Sequence, residues 1–132
     1  MCIRDRQKMY NEEAGTKGST MATGFALISI DSEKGTPSTA LGPKMGIEAT
    51  SLSRTLKKME QQGLIDRRPN PKDGRGVLIH LTAFGKEMRE FSKGVVLRFD
   101  EAVKEQVSQE DIKTFKKVAS TITELIGNKN IY

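Results

Sequence analysis

The stretch EATSLSRTLKKMEQQGLIDRR, residues 48–68, decides the fold. Its first two thirds have helical periodicity. Placed at 3.6 residues per turn, Ala49, Leu52, Leu56 and Met59 share one side and are expected to face a core. Thr50, Arg54, Lys57 and Gln61 lie opposite, flanked by Ser51, Ser53 and Lys58. The helix is expected over residues 48–62, with Gly63 as its C-terminal cap. After Gly63 the period changes. Leu64-Ile65-Asp66-Arg67-Arg68 and Val77-Leu78-Ile79-His80-Leu81 are short aliphatic stretches of strand type. Residues 69–76 between them hold two Pro, two Gly, Asn and Asp, which predicts a hairpin with a long, basic, protruding tip.

Working upstream, Thr36-Pro37 reads as a helix start, a hydroxyl followed by Pro at the first helical position. That helix ends near Met45-Gly46, and Pro43 is expected to shorten or distort it. A turn over residues 31–35 precedes it. Before the turn, Ser19 or Thr20 caps a helix running to about Ile30, and a shorter helix is expected over residues 7–14. The opening MCIRDR lacks both a cap and apolar spacing and is given no function. Downstream, Thr82 caps a long helix over residues 83–107, striped by Phe84, Met88, Phe91, Val95, Phe99 and Val103. Ser108 and Asp111 form a variant capping box that opens a last helix to about Ile126, striped by Ile112, Phe115, Ala119, Ile122 and Ile126.

The expected class is therefore mainly α (α+β). A winged helix-turn-helix over residues 36–82, with a two-stranded wing, is flanked by helices over 7–30 and 83–127 in one domain of 132 residues. One small winged unit cannot cover the apolar stripes of both C-terminal helices, so those flanking helices are expected to form a homodimer.

Charge points to a partner. The chain carries +5, and the segment from Thr36 to His80 supplies most of it. Lys44, Arg54, Lys57, Lys58, Arg67, Arg68, Lys72 and Arg75 stand there against Glu48, Glu60, Asp66 and Asp73. Basic excess confined to the middle third suggests a polyanion-binding face with near-neutral flanks. An amphipathic helix with a polar outer face is by itself an ordinary surface helix. The order of elements changes its meaning: short helix, tight turn, second helix, basic hairpin. An α-helix fits the major groove of double-stranded DNA, with its N-terminal turns nearest the bases. Thr50, Ser51, Ser53 and Arg54 suit base edges, whereas Lys57 and Lys58 on later turns suit phosphates. At the wing tip, Lys72 adds charge, Arg75 suits the narrow minor groove, and Asp73 suits holding that guanidinium in place.

These residues resemble the MarR (multiple antibiotic resistance regulator) family of transcription factors. The resemblance runs from Thr36 to Gly85. It comprises Leu41-Gly42-Pro43-Lys44-Met45-Gly46-Ile47, Thr50-Ser51-Leu52-Ser53-Arg54-Thr55-Leu56 and Met59-Glu60-Gln61-Gln62-Gly63-Leu64-Ile65-Asp66-Arg67. Asp73-Gly74-Arg75 and Leu81-Thr82-Ala83-Phe84-Gly85 follow. Gly42-Pro43 departs from the helix-favouring residues common there, and the N-terminal helix is short. The resemblance implies a homodimer with interlocked terminal helices reading a palindromic operator. It further implies a repressor or activator whose small aromatic or phenolic effector binds between the dimer helices and the winged unit.

Other classes find little support. Cys2 and His80 are too few for a nitrogen–sulfur zinc site, and Cys2 at a frayed terminus lacks the electropositive setting of a reactive thiol. No catalytic constellation, cofactor site or metal site is expected, and His80 reads as a strand residue. No run approaches membrane-spanning length, and the lone cysteine fits the cytoplasm. The competing reading is a winged-helix assembly module whose basic face binds an acidic protein. Asp73 beside Arg75 and the hydroxyl-rich helix start favour DNA, because an acidic protein would require neither.

Overall fold

Helix ends follow local signals through most of the computed structural model, which describes residues 3–127, leaving aside the side chains of Ile3 and Arg75. Helix α1 spans Ile3–Gly15, longer at its start than the sequence suggests. Thr20 caps α2, Met21–Ser29, its hydroxyl accepting the Thr23 N–H at 3.2 Å. Asn11 reaches across from α1 to accept the Met21 N–H at 2.8 Å. The following turn is tied by the Asp31 carboxylate, which accepts the Lys34 and Glu33 N–H groups at 2.8 and 2.9 Å. Those bonds hold its pKa below the usual carboxylate value, the Lys34 amide contributing most.

Thr36-Pro37 corrects the sequence reading. These residues form a short strand, β1 (Thr36–Pro37), antiparallel to the later strand at Ile79 and Leu78. The Thr36 hydroxyl accepts the Asp31 N–H at 2.9 Å and does not cap a helix. Cross-strand pairing, invisible to a local pattern, overrides the Thr-Pro signal. Helix α3, Ser38–Met45, starts just after Pro37 and continues through Pro43. It ends at Gly46 (φ 64°), where Ile47 N–H bonds the Gly42 carbonyl at 3.1 Å and Gly46 N–H that of Pro43 at 3.3 Å. Helix α4, Ala49–Gln61, ends the same way: Leu64 N–H reaches Met59 O and Gly63 N–H reaches Glu60 O, both at 3.0 Å, with Gly63 at φ 69°. Both are Schellman ends whose left-handed residue is cheap only for glycine.

The hairpin is tighter than its composition suggests. Strands β2 (Ile65–Asn70) and β3 (Asp73–Leu81) pair out to Asn70 opposite Asp73, with a register shift at Pro69/Asn70. The predicted loop is therefore mostly strand, and Pro71-Lys72 make the turn. The sheet order is β1-β3-β2. Pro69 is tolerated because β2 is an edge strand.

The chain divides into two compact units, Met1–Val95 and Val96–Tyr132. In the first, Ala26, Leu27, Ile30, Leu41, Leu56, Met59, Leu64, Ile65, Ile79 and Met88 form one buried core, and Ile47, Val77 and Phe91 pack against it. The long α5, Ala83–Gln106, is opened by Thr82, whose hydroxyl accepts the Gly85 N–H at 2.9 Å and donates to the Gly63 carbonyl at 2.6 Å. In the second unit, α6, Gln109–Gly127, is opened by Ser108, whose hydroxyl accepts the Asp111 N–H at 3.1 Å and donates to the Asp111 carboxylate at 2.6 Å. Among the described residues α6 buries none of its side chains, and Phe115 is 70% and Ile126 63% exposed. Among the described residues no helix is long and apolar enough to cross a membrane.

Candidate nucleic-acid interface

Leu52, Leu56 and Met59 anchor α4 in the core, and their burial fixes which face remains outside. Thr50, Ser51, Ser53, Arg54, Lys57 and Lys58 are all exposed. Ala49, expected inside, is exposed as well; it is the first residue of the helix and lies short of the core. The Thr55 hydroxyl bonds back to the Ser51 carbonyl at 3.0 Å, so it belongs to the helix and not to the outer face. Turn residues Gly46, Ile47 and Glu48 join α3 to α4, which completes the two-helix unit expected from sequence.

At the hairpin end, Lys72 and Asp73 are exposed. The Lys72 N–H bonds the Asn70 side-chain oxygen at 3.0 Å, which tightens the turn. A Cβ on Gly76 would stand 3.0 Å from the Asp73 carboxylate and 3.3 Å from Asn70, so the missing side chain there leaves room for both. Arg75 belongs to β3 by its backbone; its side chain, like Cys2, lies outside the described residues.

The structure sorts the basic residues that a sequence count lumps together. Arg67 donates from Nε to Glu60 Oε2 at 3.0 Å. Arg68 forks onto Asp66, Nε to Oδ1 at 2.9 Å and Nη2 to Oδ2 at 3.0 Å. This fork lowers the Asp66 pKa and raises that of Arg68, the hydrogen bond being the main cause of each. Lys44, though exposed, is tied down, its ammonium donating to the Ser29 carbonyl at 2.6 Å at the end of α2. What remains for a partner is Arg54, Lys57 and Lys58 on α4 with Lys72 on the wing, each exposed and outside the ion pairs of the described residues. Sequence reasoning missed these pairings. The Asp66–Arg68 pair had a signal, since residues two apart on a strand share a face. The Glu60–Arg67 pair joins two elements and had none.

His80 sits in β3 opposite Asp66. Its ring leans on Gly35, where a Cβ would come within 2.7 Å of ring atoms Cε1 and Nε2. That is a packing role, in keeping with the sequence reading.

Comparison with known proteins agrees with this geometry. The model of the MarR family matches residues 20–77. An organic hydroperoxide resistance transcriptional regulator of Bacillus subtilis (strain 168) is 30% identical over 130 residues, covering 96% of this chain and 85% of that protein. Among solved structures, a MarR family transcription regulator superposes with a TM-score of 0.85 at 20% identity, over 97% of this chain and 85% of the other. The S. aureus MepR–DNA complex gives 0.83 at 17% identity, over 92% and 90%. Likeness at such identities speaks to fold; the Bacillus relative extends it to sequence along nearly the whole chain. With its helix-turn-helix, hairpin wing and flanking helices so matched, this chain belongs to the MarR family of transcription regulators.

Proposed function

We propose that this protein binds a palindromic operator as a homodimer, through α4 in the major groove and the wing in the adjacent minor groove. The observation that carries the reading is the outward face of α4. Hydroxyls of Thr50, Ser51 and Ser53 and the Arg54 guanidinium occupy its early turns, and the Lys57 and Lys58 cations follow, all exposed. The hairpin brings Lys72, Asp73 and Arg75 to its far end, the place from which a wing reaches DNA. MepR, a structural relative, was solved on DNA. The uncovered apolar face of α6 supports a dimer whose interface includes that helix, in one domain spanning the chain. Relief by a small aromatic or phenolic effector rests on the family resemblance alone.

Gel mobility shift on a duplex selected by the wild-type protein from a random pool, against an unrelated duplex, tests the DNA reading. Arg54→Ala should weaken the selected duplex by about 1–3 kcal/mol, roughly 5- to 150-fold, and the unrelated one far less. Equal losses on both duplexes would demote Arg54 to a phosphate contact. Failure of the wild-type chain to bind any duplex at low salt would sink the DNA reading and favour an acidic protein partner.

A further inference from the structure

Glu60 is an odd residue for its place. It sits in the last turn of α4, where the helix macrodipole favours cations. It is also on the helix assigned to a polyanion. Both effects disfavour a carboxylate there, and one contact offsets them: the 3.0 Å bond from Arg67 on β2.

Strand alternation places that bond. Residues two apart share a face, so Arg67 lies on the side of β2 that carries buried Ile65 and stands opposite buried Ile79. Asp66 and Arg68 occupy the other side. The core holds the base of the hairpin through Ile65, Ile79 and Leu81, and Val77, opposite Pro69, still packs against it in part. Toward the tip burial falls away, and Pro69 is already exposed. Among the described residues, Glu60–Arg67 is the side-chain bond between α4 and the wing that lies nearest the tip.

We infer that Glu60 and Arg67 are positioning residues: their ion pair sets the angle of the wing relative to α4, and so the fit to an operator whose grooves must be met together. The inference rests on the DNA-binding reading. Arg67 then acts through the wing and makes no phosphate contact of its own. The side chains are 43% and 38% exposed, so the pair adds little to global stability. Its effect should appear in specific binding, where a small angular error costs contacts at the far end.

Fluorescence anisotropy with the selected duplex and an unrelated duplex tests this on four proteins: wild type, Glu60→Gln, Arg67→Glu and the swap Glu60→Arg/Arg67→Glu. Glu60→Gln makes the protein more positive, and charge alone would tighten both complexes. Positioning predicts the opposite on the selected duplex, about three- to fivefold weaker, the range open to an exposed pair. The unrelated duplex should be held equally or more tightly. The swap keeps net charge and restores the pair, and should return selected-duplex affinity to within about twofold of wild type. Circular dichroism confirms that each variant is folded. Glu60→Gln binding the selected duplex as tightly as wild type overturns the inference and leaves the DNA reading standing. A swap as weak as a lone Arg67→Glu does the same, and assigns Arg67 to a phosphate. A wild type that binds no duplex overturns both.

Discussion

Gly85 is the residue whose smallest change should do the most damage. It is buried in the first turn of α5, and a Cβ built on it would overlap the Leu64 carbonyl oxygen and stand 2.9 Å from the carbonyl carbon. Both are backbone atoms, so no side chain can swing aside. Leu64 is itself fixed by its bond to Met59 O, and its carbonyl accepts the Thr82 N–H at 3.1 Å. Relief requires α5 to move off the α4–β2 junction, which would lengthen the Thr82 bonds to Gly63 and Gly85. Overpacking of this kind costs about 1–3 kcal/mol, and a lost cap about 1 kcal/mol more. Against this, Ala gains roughly 1 kcal/mol over Gly in a helix. Gly85→Ala should thus lose about 1–3 kcal/mol. Gly15, in α1 with nothing within 4 Å of a built Cβ, supplies the control: Gly15→Ala should be neutral or slightly stabilising. Urea unfolding followed by circular dichroism at one fixed protein concentration reads both, as a change of midpoint at constant slope. A Gly85→Ala midpoint equal to that of wild type would refute the steric argument.

Two further outcomes are expected. Phe115→Asp combined with Ile122→Asp should convert a dimer to a monomer by light scattering, each lost apolar side chain removing about 2 kcal/mol per copy; a wild type that is monomeric at micromolar concentration would refute the dimer. Asp31 has a folded-state pKa below its ordinary 3.8, so its stabilising contribution is present above that value and lost as pH falls through the folded one. Asp31→Ala should accordingly melt lower than wild type at pH 7, with the gap closing as pH falls below 3.8; a gap that stays unchanged in acid would refute the assignment.

What the sequence showed clearly was whatever is written locally. Thr20, Gly63, Thr82 and Ser108 each mark a helix end by their own chemistry, and each does so in the structure. The apolar side of α4 was legible because Leu52, Leu56 and Met59 repeat at helical spacing. Thr36-Pro37 misled because its partners, Ile79 and Leu78, lie more than forty residues away. Residues 69–76 read as a loop because Pro and Gly dominate them, yet both strands extend into them, with Pro69 on the edge strand β2, where a missing N–H is harmless. The basic face was overcounted for a similar reason. A charge tally cannot know that Glu60 and Asp66 hold Arg67 and Arg68, or that Lys44 faces the end of α2. The exposed residues of α4 stood out early, because exposure on one side of an amphipathic helix follows from burial on the other.

The strand order β1-β3-β2 has a consequence for how the protein behaves off its target. A β-hairpin held out from a small core offers unpaired backbone groups that could recruit a second chain edge to edge. Here β3 is flanked on both sides near its base, by β2 and by the two residues of β1. Toward the tip β3 has a short open margin beyond β1; the longer margin belongs to β2, where Pro69 removes a donor, the register slips beside it, and Asp66, Arg67 and Arg68 place charge along the strand. A wing built this way can project into solvent and stay available, because its longer free edge, along β2, is a poor template for aggregation.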